Sequence, residues 1–170
     1  MNKNYAFIDG NNLYLGAKSQ GINIDYRKLR LLLKNKFNVE KAFLFIGYDP
    51  ARTRLYSKFN KFGFELVHKP TVKYTENGKR TMKGNVDAEL VLYSAAIEFD
   101  NYNKAVIITS DGDFACLLGF LKEKDKLEKV ITPTTYYSSL FVDYKEYIHP
   151  LSLSKNSIER NIGKPVDEND

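Results

Sequence analysis

An α/β fold, with a mostly parallel sheet and helices on both of its faces, is what this sequence predicts, on three observations. Short apolar runs alternate with stretches of helical period along most of the chain, the pattern left by strands joined through helices. The central runs are continuously apolar, as strands covered on both faces are. The length of 170 residues, 43% of them hydrophobic and 28% charged, suits one domain around one core.

Tyr5-Ala6-Phe7-Ile8 is a buried strand that stops at Asp9-Gly10-Asn11-Asn12, a turn and helix-cap cluster, and Leu13 to Ala17 begin a helix. Asp25 N-caps a second helix, in which Tyr26, Leu29, Leu33 and Phe37 recur at helical spacing. Ala42 to Ile46 make the second strand. The next helix runs from Pro50, a residue suited to an early helical position, to Phe62. Leu55, Phe59 and Phe62 form its inward stripe, and Arg54, Lys58 and Lys61 a parallel basic one. Phe64 to Val67 are a third short strand. Residues 69–83, bracketed by Pro70, Gly78 and Gly84, have no long apolar period and read as an exposed loop or short hairpin. Val86, Leu90, Tyr93 and Ile97 mark a helix, and Ala105 to Thr109 are the clearest strand, ending at Ser110-Asp111-Gly112-Asp113. A helix from Phe114 to Leu121 and a strand at Val130-Ile131 complete the series. From Ser152 the chain is polar and without period, so the expected organisation is a domain over 1–151 and a mobile polar tail over 152–170.

A single cysteine, Cys116, precludes an intrachain disulfide and a cysteine-rich zinc site, and as a small residue on a helix it is expected in the core. No run approaches the ~18 apolar residues of a membrane span, and the polar N-terminus does not read as an export signal. A cytoplasmic location without a membrane partner is expected. Net charge is +5, which favours an anionic partner such as nucleic acid. The excess is local. Residues 52–83 hold nine lysines and arginines against Glu65 and Glu76, a surplus of +7. Phosphate neutralisation by such a patch supplies most non-specific nucleic-acid affinity. Arg54, Lys58, Lys79, Arg80 and Lys83 are its candidate substrate contacts, and Tyr74 sits among them.

Sites in open α/β sheets form outside the carboxyl ends of the strands, where strand order reverses. Asp9 follows the first strand, Asp111 and Asp113 follow the fourth, and Asp87 opens a helix after Lys83-Gly84-Asn85-Val86. Each alone reads as a helix cap or a first-turn acid. If the first and fourth strands are neighbours, the carboxylates converge, and they then need a counter-charge to stay ionised. A hard divalent cation, Mg²⁺ or Mn²⁺, supplies it and suits phosphodiester hydrolysis.

Four pieces of the chain resemble, in order, the motifs of the NYN domain, a PIN-like nuclease family that includes the LabA and DUF88 group. Phe7-Ile8-Asp9-Gly10-Asn11-Asn12-Leu13 resembles its opening Asp-Gly-x-Asn-Leu, and Lys83-Gly84-Asn85-Val86-Asp87 its Lys-Gly-x-x-Asp helix start. Ile108-Thr109-Ser110-Asp111-Gly112-Asp113-Phe114 resembles its Ser-Gly-Asp-Gly-Asp-Phe block, with Ser110 where the family often has Gly. Tyr136 to Leu151 resemble its closing Ser-rich helix and final strand. The resemblance implies a Rossmann-like, PIN-type three-layer sandwich with strand order 3-2-1-4-5. It also implies that Asp9, Asp87, Asp111 and Asp113 form an Mg²⁺ or Mn²⁺ centre, that Asn12 orients a water or phosphate oxygen, and that Ser110 assists. Lys83, beside Asp87 in the motif, would reach a phosphate.

The expected activity is that of a metal-dependent ribonuclease acting on single-stranded or loop RNA, the preference for RNA coming from the resemblance. The alternative is a non-catalytic RNA-binding or regulatory adaptor. A small phosphatase is a third reading, against which Asp9 is followed by Gly-Asn-Asn rather than by the second Asp of an aspartyl-phosphate motif. RNA and a second copy of the chain are the expected partners. His68 and His149 have no partner motif and read as structural; Tyr136, Tyr137, Tyr144 and Tyr147 could form a stacking surface, but most of them are expected to pack.

Overall fold

Strand β1 (Asn4–Asp9) is buried along its whole length, with Ala6 and Ile8 directed to one face of the sheet and Tyr5 and Phe7 to the other. The computed structural model describes residues 3–70, 72–83 and 85–161, and at 70, 72–76 and 79–83 it describes the backbone alone. Strand β1 pairs in parallel with β2 (Val39–Tyr48) on one side and β6 (Ala105–Ile108) on the other. Strands β3 (Phe64–Pro70), β7 (Leu127–Thr132) and β8 (Ile148–Pro150) complete a six-stranded, wholly parallel sheet in the order β3-β2-β1-β6-β7-β8. The remaining two strands, β4 (Val72–Glu76) and β5 (Lys79–Lys83), form a separate antiparallel hairpin. With that hairpin set aside the order is 3-2-1-4-5-6, the expected topology extended by one edge strand.

The order runs outward from β1 in both directions, so right-handed crossovers put the helices of the two halves on opposite faces. Helices α1 (Gly10–Ser19), α2 (Tyr26–Phe37) and α3 (Thr53–Phe62) cover one face, where Leu13, Leu29, Leu33 and Phe59 meet Ala6, Ile8, Leu44 and Ile108. Helices α4 (Asp87–Leu92) and α5 (Ala115–Glu123) cover the other, where Leu90, Leu117, Leu118 and Leu121 meet Phe7, Phe45 and Ile107. The crevice between these halves opens at the carboxyl ends of β1 and β6.

Four expectations are corrected. In α3 the inward residues are Tyr56 and Phe59, while Leu55 is exposed. A 3-10 turn over Pro50–Arg52 delays the α-helix to Thr53, and the Tyr56 hydroxyl anchors the end of β2, donating to the Gly47 carbonyl at 3.2 Å and accepting from the Asp49 amide at 2.9 Å. After α4 the chain makes a π-helical turn, Tyr93–Ile97, whose extra residue shifts the phase, so Ser94 is buried and Ile97 exposed. Cys116 is exposed, because the inward phase of α5 falls on Leu117, Leu118 and Leu121. Finally, residues 152–161 do not behave as a mobile tail. They form a 3-10 turn (Leu151–Ser154) and a short helix, α6 (Lys155–Ile158), that seats Ile158 fully in the core against α2. The Asp25 amide donates to the Ile158 carbonyl at 2.7 Å and the Arg160 amide to the Asn23 carbonyl at 3.0 Å. Residues 162–170 lie outside the described residues.

His68 and His149 are structural, as expected. His68 sits between Tyr48 and Tyr56 and shares a hydrogen bond with the Ile46 carbonyl, and His149 bonds the Ser154 hydroxyl against the edge of Phe37.

Candidate metal centre

The register Ile8 to Ile108 sets Asp9 beside Thr109 at the ends of neighbouring strands. Asp9 N-caps α1, accepting from the Asn12 amide at 3.4 Å, and its other oxygen accepts from the Thr109 hydroxyl at 3.1 Å. That hydroxyl in turn accepts from the Asp111 amide at 3.1 Å, and the Asn12 side-chain oxygen accepts from the Ser110 amide at 2.9 Å. The turn after β6 is therefore tied to the turn after β1 at two points. Asp111 caps the 3-10 turn Gly112–Phe114, accepting from the Asp113 amide at 2.9 Å. Across the crevice, the Asn85 side chain accepts from the Asp87 amide at 2.8 Å and fixes the start of α4.

This arrangement brings one carboxylate oxygen each from Asp87, Asp111 and Asp113 within 4.8 Å of one another. Asp87 and Asp111 are half-buried and Asp113 is exposed, while Asp9 lies behind them, 7% exposed. Asp9 does not join the triad, but it feels it. Burial pushes its carboxyl up to about 6, the Asn12 and Thr109 hydrogen bonds pull it back, and the charges of Asp87 and Asp111 push it further. Asp87 is raised too, first by burial, against the lowering effect of Asn85, with Asp111, Asp113 and Glu89 adding repulsion.

Among the described ion pairs none includes these four acids; Glu89, in the same helix as Asp87, pairs with Lys69 at 3.5 Å. A set of three hard oxygen donors, mutually repelling and open to solvent on one side, fits a divalent cation. Two ligands on opposite sides of an Mg²⁺ ion stand about 4 Å apart, so the observed spread needs only small side-chain adjustment.

The other expected site residues fall into three groups. Asn12 and Ser110 are beside the acids but engaged: Asn12 holds the Ser110 amide, and the Ser110 hydroxyl accepts from the Thr134 amide at 3.2 Å. Both hold the turn after β6 in place. Arg54 is exposed in the first turn of α3 and Lys58 is half-buried in its middle, on the helix that leads into the edge strand β3. The side chains of Lys79, Arg80 and Lys83, the Tyr74 ring and all of Gly84 lie outside the described residues. The backbone of β5 nevertheless leads directly to Asn85 and Asp87. Sequence reasoning missed Thr109, Asn85 and Thr134 as residues that shape the site. Thr109 carried a signal, a polar residue ending an apolar strand; Asn85 carried only its place inside a motif, and Thr134 none.

The NYN domain family model matches residues 5–156. Among solved structures, the fold is similar to that of a protein of unknown function from Vibrio parahaemolyticus, with a TM-score of 0.70 and 18% identity over 94% of this chain and 96% of that one. At that identity the likeness is one of fold. No curated protein matches.

Proposed function

The chain belongs to the NYN domain family of the PIN-like nuclease superfamily, and from that premise we propose that it is a metal-dependent ribonuclease of the LabA type, hydrolysing phosphodiester bonds in single-stranded or loop RNA in the cytoplasm. The observation that carries this reading is the convergence of Asp87, Asp111 and Asp113 oxygens at the crevice between β1 and β6. These three would hold Mg²⁺ or Mn²⁺, with Asp9 behind them. A bound divalent cation supplies charge stabilisation at phosphate oxygens and a more acidic water.

The chain's own residues do the rest. Asp9, through Thr109 and the Asn12 amide, fixes the backbone that aims Asp111. Asn12 and Ser110 hold the same turn from its other side. Lys83, Lys79 and Arg80 precede Asp87 in sequence and would neutralise phosphates flanking the scissile bond, with Arg54 and Lys58 extending the basic track. In the reaction, water adds at phosphorus and the sugar oxygen leaves with a proton.

Labelled single-stranded RNA incubated with the protein and Mn²⁺ tests this. Cleavage should stop on adding EDTA and fall by at least about a hundredfold, the scale of losing a group that stabilises transition-state charge, in Asp111→Asn combined with Asp9→Asn. Cleavage that resists EDTA, or that survives the double substitution, overturns the reading. Salt-sensitive binding without turnover would replace it with the adaptor role.

A further inference from the structure

Tyr136 is 93% exposed, against 72% for Leu153, the next most exposed of the large apolar side chains described. Exposing an aromatic ring forfeits burial that is worth roughly 2 kcal/mol, and a ring left outside by a loose loop would need no comment. This loop is not loose. The Thr134 amide donates to the Ser110 hydroxyl at 3.2 Å, and the Thr134 hydroxyl donates to the Tyr136 carbonyl at 2.6 Å. Gln20, the C-cap of α1, accepts from the Thr135 hydroxyl at 2.9 Å and donates to the Pro133 carbonyl. On the other side Tyr137 stacks on fully buried Phe141, with ring centroids 6.2 Å apart, and Ser138 caps the turn that follows.

Both anchors of the loop, Thr134 and Ser138, are fastened to the acidic turn. Thr134 is bonded to Ser110, next to Asp111. Ser138 lies against Gly112, where a Cβ would stand 2.3 Å from the Ser138 hydroxyl oxygen. Tyr136 is two residues from Thr134 and from Ser138, so its Cα lies within about 8 Å of each of theirs and, across their contacts with Ser110 and Gly112, within about 12 Å of the turn that carries Asp111 and Asp113. Leu140, 61% exposed and also against Gly112, extends the same apolar lip.

We propose that Tyr136 is a stacking platform for one unpaired nucleobase of the substrate strand, setting which phosphate enters the acidic crevice. The inference rests on the nuclease reading above and adds to it a positioning residue and a requirement for a base beside the cleaved bond. A rigidly held backbone and a side chain with two rotatable bonds lose little entropy on contact, and every base offers a π face. Stacking therefore favours single strands over duplexes without fixing a sequence.

The chain contains no tryptophan, so Tyr136→Trp introduces a single reporter at the platform. Oligouridylate should quench its indole emission. An abasic ribose-phosphate oligomer of equal length should bind with the same salt dependence and leave the emission unchanged. In the otherwise wild-type chain, Tyr136→Ala should raise KM for a short single-stranded RNA about tenfold, within the range measured for loss of one base stack, and leave kcat within twofold. Tyr136→Phe should rescue it. If wild-type protein cleaves RNA while Tyr136→Ala keeps its KM, or if emission ignores bound oligouridylate, the platform role is overturned and the nuclease reading stands. Quenching and binding without cleavage support the platform and overturn the hydrolase. If the chain neither binds nor cleaves RNA, both fall together.

Discussion

Ionising Asp9 costs the folded chain free energy, because the carboxylate is nine-tenths out of water and two further acids face it. Its carboxyl rises from 3.8 to about 6 on folding. Between those values the native state keeps a proton that the unfolded chain has lost, so stability falls as pH rises through that window and stays lower above it. The deficit at neutral pH is about 1–3 kcal/mol at ~1.4 kcal/mol per unit. Asp9→Asn keeps an acceptor for the Asn12 amide and removes the charge. In EDTA it should be more stable than wild type at pH 7 by that amount, and the advantage should vanish by pH 4 in urea titrations. An unchanged pH slope would show that Asp9 ionises freely. At this scale the acids were legible in the sequence, since aspartates at strand ends are conspicuous. Their division into three converging carboxylates and one buried behind them was not, because it depends on the Thr109 hydroxyl, which becomes Asp9's partner only when β6 lies beside β1.

Secondary-structure elements were legible to the extent that local pattern decides them. The continuous apolar runs became the inner strands, and Asn77-Gly78, both at positive φ (50° and 76°), makes the two-residue turn that closes the β4-β5 hairpin. Phase within a helix was less legible. A 3-10 start in α3 and a π turn after α4 each move the inward face by one position, and period counting assumes an unbroken α-helix. The segment after Leu151 was misread because Leu153, Ile158 and Ile162, scattered through a polar stretch, give no period. Its place is set by contacts with α2 and by the backbone pairing of Ile24 with Glu159, more than a hundred residues apart in sequence. Ile158→Ala should accordingly lower stability by about 2–4 kcal/mol, measured by denaturant unfolding. A change within experimental error would return the segment to the status of a tail.

Over the whole molecule, opposite charges are separated: acids line the crevice, and the surplus of +7 lies in residues 52–83, which run from the start of α3 to the hairpin. A cation at the acids would relieve their mutual repulsion only in the folded state. Mg²⁺ or Mn²⁺ should therefore raise the Tm relative to EDTA, equivalent to about 2.7 kcal/mol at a hundred times Kd, and Asp111→Asn with Asp113→Asn should abolish the shift. A Tm indifferent to both ions would remove the candidate centre. Among the described residues no helix is long and apolar enough to cross a membrane. The sequence by itself determined the α/β class, the strand alternation and the four aspartates, because each is written in short-range pattern and residue type. Only the tertiary structure decided which carboxylates face one another, which polar groups hold them, and that Tyr136 is left unburied on a loop tied to the same turn. Those relations join residues distant in sequence, up to a hundred positions for Asp9 and Thr109, and it is the pairing of β1 with β6, a non-local event driven by burial of both strands, that brings the turns after them together.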